Sequence, residues 1–171
     1  VRLVCLGLDT LAKIRINGVS VGETDNMFRT WVFDVKNMLR AGDNTIEIRF
    51  DSVLRHVRRK REQYGRAIAE WKGSRDERHG NLVRKEPCNF GWDWGPVLVT
   101  CGIWRDIRIE AFSTARLDEV RVGQRLTAGK ARLTVDVRAE TIGRPALSAA
   151  IAVSYRGRVV ARKPVSLARG R

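Results

Sequence analysis

The stretch FGWDWGP, residues 90–96, combines aromatic rings and a carboxylate in a pattern suited to ligand binding. Asp93 lies between Trp92 and Trp94, with a glycine on each side of the three. Indole rings stack on the apolar C–H faces of sugars, and a carboxylate between them can accept hydrogen bonds from hydroxyl groups. The flanking glycines would let the backbone turn tightly and approach a ligand. On composition alone a buried structural loop, in which Asp93 caps backbone amides, is the favoured interpretation, and a carbohydrate contact is the alternative.

No other motif supplies a complete catalytic apparatus. The sequence has no GxSxG, HExxH, P-loop or GxGxxG pattern. His56 and His79 lie in an Arg-rich segment without metal-ligand spacing and are predicted to be solvated loop histidines. Cys5, Cys88 and Cys101 form no CxxC pair, so we expect no zinc site and treat them as small buried side chains. Unpaired thiols favour a reducing compartment such as the cytoplasm, and neither metal nor cofactor is expected.

The charge of the chain raises nucleic acid as a partner. The 171 residues carry a net charge of +14, and the densest basic run is RHVRRKREQYGR. That run has no RNP, KH, zinc-finger or helix-turn-helix signature beside it, so a solvated basic surface is the favoured interpretation. No stretch approaches ~18 consecutive apolar residues, which predicts no membrane span. The N-terminus shows no signal peptide and opens in the middle of a strand, as expected for a piece of a longer protein.

Period-2 alternation predicts strands in the first fifty residues. LAKIRI would bury Ala12, Ile14 and Ile16, and the Asn-Gly step after it is a strong hairpin signal. WVFDV is another strand, and TIEIRF would face inward through Ile46, Ile48 and Phe50. Residues 53–82 are predicted to be a long insertion, part helix and part exposed loop, because apolar positions there recur at loosely helical spacing.

Strand patterns return in the second half of the chain. Val97–Thr100 and Ile103–Phe112 are predicted strands. LDEVRVGQRL, ARLTVDVRAE and SAAIAVSYRGRVVARKPVSL then predict about four strands of a small sandwich, with a hairpin tip at Tyr155-Arg156-Gly157. Because so few strands follow residue 113, this sandwich is expected to be incomplete.

Two stretches resemble one enzyme family. RKEPCNFGWDWGPVLVTCGIWRDIRIEAF and GLDTLAKIRINGVSVGETDNMFRTWVFDV are similar, in order and spacing, to the N-terminal region of the β-mannosidases of glycoside hydrolase family 2. GIWR is also similar to an element of family 2 β-galactosidases, whereas WDWGP points to the mannosidase branch. The resemblance covers about residues 1–112 and is weak over 113–171.

The resemblance implies an all-β fold and places catalysis in another domain of the protein. Residues 1–112 would be a jelly-roll, galactose-binding-domain-like β-sandwich whose first strands precede Val1. Residues 113–171 would be part of an immunoglobulin-like β-sandwich, and a (β/α)8 barrel would follow. In that family the barrel carries the glutamates for retaining hydrolysis. No catalytic residue is therefore expected in this chain, which alone would be inactive and poorly stable.

The resemblance also assigns roles at the predicted site. Asp93 would bind hydroxyls of terminal β-D-mannose in the −1 subsite, Trp92 and Trp94 would wall the pocket, and Arg84 would contact Asp93 or a nearby carboxylate. The first hypothesis is thus the non-catalytic N-terminal part of a β-mannosidase-like exo-glycosidase. Its partners would be a β-mannoside or manno-oligosaccharide, the downstream barrel and a second copy in a homodimer. A stand-alone carbohydrate-binding module is the second hypothesis, and a basic nucleic-acid binder is the third and least favoured.

Overall fold

The computed structural model describes residues 1–64, 80–143 and 147–165, and these form an all-β fold with one α-helix. The chain divides into two compact units, residues 1–111 and residues 112–171. Short 3-10 turns lie at Lys36–Met38, Gly80–Leu82 and Pro87–Phe90. The first unit contains β1 (Arg2–Cys5), β2 (Leu8–Asp9), β3 (Ala12–Ile16), β4 (Val19–Thr24), β5 (Trp31–Asp34), β6 (Ile46–Phe50), α1 (Val53–Tyr64), β7 (Gly102–Ile103) and β8 (Ile107–Glu110). The second contains β9 (Ala115–Thr127), β10 (Lys130–Thr141), β11 (Ala149–Tyr155) and β12 (Arg158–Val165).

Two three-stranded antiparallel sheets build the first unit. One has the order β5-β1-β8 and the other β4-β3-β6, while β2 pairs separately with β7. The predicted hairpin joins β3 to β4, and both of its central residues have positive φ, 51° at Asn17 and 81° at Gly18. The Asn17 side chain also binds the 3-10 turn that follows β5, since its Nδ2 donates a hydrogen bond to Met38 O at 2.8 Å.

The core of the first unit follows the predicted alternation. Ala12, Ile14 and Ile16 are at most 2% exposed, and the intervening Lys13 and Arg15 are exposed, so the prediction for β3 is confirmed. Burying each large aliphatic side chain of this cluster stabilises the fold by about 1.5–3 kcal/mol. On β6, Ile48 and Phe50 pack against the cluster as expected, whereas Ile46 is 40% exposed. The other buried members are Leu3, Cys5, Leu8 and Val35.

Helix α1 supplies a second, smaller cluster. The Ser52 hydroxyl accepts a hydrogen bond from the Arg55 N–H at 3.3 Å and so caps the first turn. Val53 and Val57, one turn apart, bury one face of the helix against the completely buried ring of Phe90. The predicted helical insertion therefore has a helix over its first part, and residues 65–79 lie outside the described residues.

The second unit consists of two long antiparallel hairpins, β9-β10 and β11-β12. Arg156 and Gly157 have positive φ at the tip of β11-β12, as predicted for that turn. Among the described residues of this unit none is buried. Its apolar side chains are therefore exposed or half-buried.

Two predicted strands differ from the structure. Among the described residues Val97–Thr100 has no strand pairing, although its composition favours one. The predicted strand Ile103–Phe112 is broken into β7 and β8 at Trp104–Asp106. At the break, Trp104 N–H donates to Gly7 O at 3.2 Å and Asp106 O accepts from the Leu6 N–H at 2.9 Å, so these groups bind the β1–β2 connection instead of continuing one ladder.

Candidate functional site

The WDW loop, residues 90–96, presents its rings and its carboxylate to solvent. Trp92 and Gly95 form an isolated antiparallel bridge, which places Asp93 and Trp94 at the tip of a tight turn. The two indole rings lie 5.0 Å apart between centroids and are tilted by 41°. Trp94 is 73% exposed and Trp92 is 42% exposed, and Asp93 is also exposed. This exposure contradicts the buried structural loop that composition alone favours.

Only one of the two flanking glycines is required by the geometry of the described loop. Gly91 has φ 108°, which side-chain-bearing residues rarely adopt. At Gly95 an added Cβ would meet no atom within 4 Å. The tight entry into the loop therefore depends on Gly91, and the structure gives no steric reason for Gly95.

The N-terminal end of the loop is fixed by a buried ring. Phe90 is 0% exposed and packs in the cluster with Val53 and Val57 of α1. The backbone of Gly80 packs directly against the Phe90 ring, since an added Cβ would lie 2.7 Å from Phe90 Cδ2. The exposed tip thus begins directly after an anchored aromatic side chain.

A buried polar cluster joins the segments on either side of the loop, and the sequence analysis did not predict it. Lys85 forms an ion pair with Asp9 of β2, and their side chains are 0% and 6% exposed. The Thr10 hydroxyl also donates to Asp9. On the other side, the Thr100 hydroxyl lies 3.2 Å from Asp9 Oδ2 and 3.1 Å from Asn89 Oδ1, where it can donate to either. No local signal identifies this cluster, because Lys85 and Asp9 are 76 positions apart.

The segment after β4 supports the strand-like approach to the loop. Asn26 bridges Arg84 in parallel, and the Met27 N–H donates to Arg84 O at 3.0 Å. Met27 is 3% exposed, and its carbonyl accepts a 3.0 Å hydrogen bond from Trp104 Nε1. The Glu86 N–H points at Met27 Sδ, 3.1 Å away. Residues quoted for the family resemblance, from both matching stretches, therefore meet at one place.

Arg84 differs from the other predicted site residues. Its backbone makes the contacts just described, and its side chain is exposed. Within the described part of the chain, no hydrogen bond or ion pair joins it to Asp93. The structure therefore brings Trp92, Asp93 and Trp94 together and does not connect Arg84 to them through its side chain.

The histidine and cysteine predictions need correction. His56 lies on α1 and not in a solvated loop. It is half-buried and lines a groove of about 570 Å³. Burial there, with Arg59 and Lys60 nearby, lowers the pKa of His56 below its ordinary 6.5, although Asp25 opposes the shift. His79 lies outside the described residues. The groove is lined by strongly mixed charges, including Lys13, Glu23, Asp25, Asp51, Arg55 and Arg59.

Only one of the three thiols is a buried side chain as predicted. Burial raises the pKa of the Cys5 thiol to about 11, whereas Cys88 is half-buried and Cys101 is exposed. Over residues 1–64, 80–143 and 147–165, no group of His, Cys, Asp and Glu side chains could hold a metal ion. In the same ranges no helix has the length and apolarity needed to cross a membrane.

Comparisons with known proteins identify the family of the chain. The sequence profile described as "Glycosyl hydrolase 2 galactose-binding domain-like" matches residues 1–105. A β-mannosidase of Capra hircus is 42% identical over 125 residues, which is 69% of this chain and 14% of that protein. β-Mannosidase B of Emericella nidulans is 39% identical over 145 residues, which is 82% of this chain and 17% of that protein.

A solved structure matches the fold over most of the chain. The crystal structure of a β-D-mannosidase from Dictyoglomus thermophilum superimposes with a TM-score of 0.82 at 31% identity. The match covers 96% of this chain and 20% of that one. The matched part of the chain thus spans between about a seventh and a fifth of the length of these relatives. The predicted all-β fold and the predicted family are confirmed, and the chain belongs to the glycosyl hydrolase 2 galactose-binding domain-like family.

Proposed function

We propose that this chain is a non-catalytic part of a β-mannosidase-like glycoside hydrolase and that its WDW loop forms one wall of the sugar subsite. The observation that carries the proposal is a carboxylate at the tip of a fixed turn, with the exposed ring of Trp94 beside it. Hydroxyl donors and apolar sugar faces suit this combination. The similar β-mannosidases are about five times as long as this chain, which leaves room for a catalytic barrel of ~250 residues elsewhere in the protein.

In this proposal Asp93 binds substrate and does not carry out the bond cleavage. A subsite accelerates hydrolysis when its hydrogen bonds to the sugar strengthen in the transition state. Asp93 suits that role because its side chain is short and the turn is held by Phe90, so little motion has to be arrested on binding. Trp92 and Trp94 would exclude water from one side of the sugar ring. Arg84 stays a predicted substrate contact, and it would act on the sugar from its own exposed position.

The test is Asp93→Ala in the full-length gene product that contains this chain. Losing a charge-assisted hydrogen bond costs about 1.5–3 kcal/mol, so we expect kcat/KM on an aryl β-mannoside to fall about 10- to 100-fold. Asp93→Glu should also lose activity, because the longer side chain displaces the carboxylate. Asp43→Ala is the matched control, since Asp43 is also exposed and lies far along the sequence from the loop.

The outcomes separate the functional hypotheses. Mannoside-selective cleavage that falls in both Asp93 variants and not in the control supports the proposal. Wild-type kinetics in Asp93→Ala would refute the subsite role. Sugar binding without cleavage of aryl β-mannoside or aryl β-galactoside would favour the stand-alone carbohydrate-binding module instead. Binding that falls steeply as salt rises would favour nucleic acid.

A further inference from the structure

Both ends of the WDW loop are tied to the same buried carboxylate. Lys85, five residues before Phe90, pairs with Asp9, and its Nζ lies 3.4 Å from Thr100 Oγ1. Thr100, four residues after Pro96, lies 3.2 Å from the same Asp9 oxygen that Lys85 contacts. Asp9 itself is held on β2, which pairs with β7. The loop therefore leaves and returns at one point on the fold.

A gain in folding stability is a weak explanation for the buried Lys85–Asp9 ion pair. Removing two charges from water is costly, and well-packed apolar replacements of such pairs are often neutral or more stable. An ion pair is directional, however, and it fixes the separation of the segments that contribute to it. Because Lys85 and Thr100 converge on Asp9, the distance between the two ends of the loop is set by hydrogen-bond geometry.

We propose that Asp9, Lys85 and Thr100 form a clamp that positions the tip of the WDW loop, and with it Asp93, for binding. These three are positioning residues and do not touch the sugar. The functional half of this inference rests on the proposed role of Asp93 in the subsite. The structural half, that the clamp restrains residues 91–99, can be measured without any substrate.

The test uses Thr100→Val, with Thr100→Ser as its matched control, in the full-length gene product. Valine keeps the volume and removes the hydroxyl, whereas serine keeps the hydroxyl. Thr100 is exposed and the Lys85–Asp9 pair stays intact, so neither variant should unfold the protein. A second, stronger variant is Asp9→Asn combined with Lys85→Met, which removes both buried charges together and leaves neither unpaired.

The readout is amide hydrogen exchange in the peptide spanning residues 88–101. Within it the N–H groups of Gly91 and Thr100 donate to Cys88 O and Leu98 O at 3.1 and 3.0 Å, so their exchange reports opening of the loop ends. Loss of one hydrogen bond should raise local opening about 2- to 10-fold. We expect that increase in Thr100→Val and in the double variant, wild-type exchange in Thr100→Ser, and no change in the peptide containing β3.

Either of two results would overturn the clamp. One is unchanged exchange over residues 88–101 in both Thr100→Val and the double variant. The other is an equal acceleration in the β3 peptide, because that would show a general loss of stability and no specific restraint of the loop.

A kinetic cycle tests the link to Asp93 separately. If the clamp acts through Asp93, Thr100→Val should lower kcat/KM several-fold in the wild type and have little further effect in an Asp93→Ala background. Equal effects in both backgrounds would refute the link. If Asp93→Ala alone changes nothing, the proposed function fails, and the structural clamp is then decided by the exchange experiment.

Discussion

His56 is the residue whose environment gives a definite pH dependence. Its pKa is lowered by burial and by Arg59 and Lys60, so the unfolded chain binds this proton more readily than the folded one. Above the ordinary value of 6.5 both states are neutral at this position and His56 contributes nothing. As the pH falls below 6.5, the unfolded state gains the proton first and stability is lost.

We therefore expect His56→Gln to flatten the pH dependence of unfolding. Urea unfolding of the wild type and the variant at pH 7.5 and pH 5.5 would measure it. The wild type should lose more free energy of unfolding between the two values than the variant does, because other titrating groups are common to both. Equal losses would mean that His56 titrates alike in the folded and unfolded chains.

Single residues also show what the sequence could reveal about the site. Trp92, Asp93 and Trp94 were identifiable because the chemistry lies in adjacent residue types, and a tight turn exposes all three. Asp9 and Lys85 were not, since a buried ion pair between distant positions leaves no pattern in one sequence. The prediction for Arg84 rests on its proximity along the chain, and within the described residues its exposed side chain makes no hydrogen bond or ion pair with Asp93. Proximity in sequence does not determine the direction of a side chain.

At the level of elements, the junction of β2 and β7 depends on a glycine. A Cβ at Gly7 would lie 2.7 Å from Trp104 Cε2, and Gly7 O accepts from the Trp104 N–H. Trp104 in turn donates to Met27 O, which lies in the segment that supports the WDW loop. A side chain at position 7 would therefore displace an indole that joins two neighbouring segments.

Gly7→Ala should lower the free energy of unfolding by about 1–3 kcal/mol, as overpacking of a tight contact does. Gly123→Ala is the control, because its Cβ would meet only Thr134, at 3.8 Å. Denaturant unfolding of both variants measures the difference. A loss in Gly7→Ala no larger than in the control would show that Trp104 moves aside freely.

Elements were predictable where one face of a strand is buried, and less so elsewhere. β3 alternates between buried and exposed residues because one side packs on the core, so its apolar–polar pattern predicts both the strand and its buried face. Val97–Thr100 has equally suitable residues and no pairing within the described part of the chain, since strand formation needs a partner that local composition cannot specify. The break between β7 and β8 likewise depends on Gly7, nearly a hundred positions away in the sequence.

At the scale of the whole molecule, the β9-β10 hairpin of the second unit has one apolar and one polar face. Cross-strand pairs place Val120 opposite Val137 and Val122 opposite Val135 on the first face. The other face pairs Arg121 with Asp136. Yet Val122 is 61% exposed. An apolar face of this kind is rarely left open to water, so we expect a part of the longer protein to cover it.

The expected consequence is that one substitution acts differently in two contexts. In the 171-residue chain, Val122→Glu should change stability by no more than about 0.5 kcal/mol, because the side chain is exposed. In the full-length gene product it should cost several kcal/mol if the face is covered, since a charge would then be buried without a partner. Thr134→Glu adds the same charge to the exposed polar face and serves as the control.

Thermal unfolding of the two variants in both lengths of chain decides the matter. A fall in Tm confined to Val122→Glu in the longer product would show that this apolar face is an interior surface of the assembled protein. Equal, small effects of both variants in both lengths would leave the face exposed and remove the reason for assigning it a covering domain. A large loss from Val122→Glu already in the 171-residue chain would mean that the two hairpins of the second unit bury this face themselves.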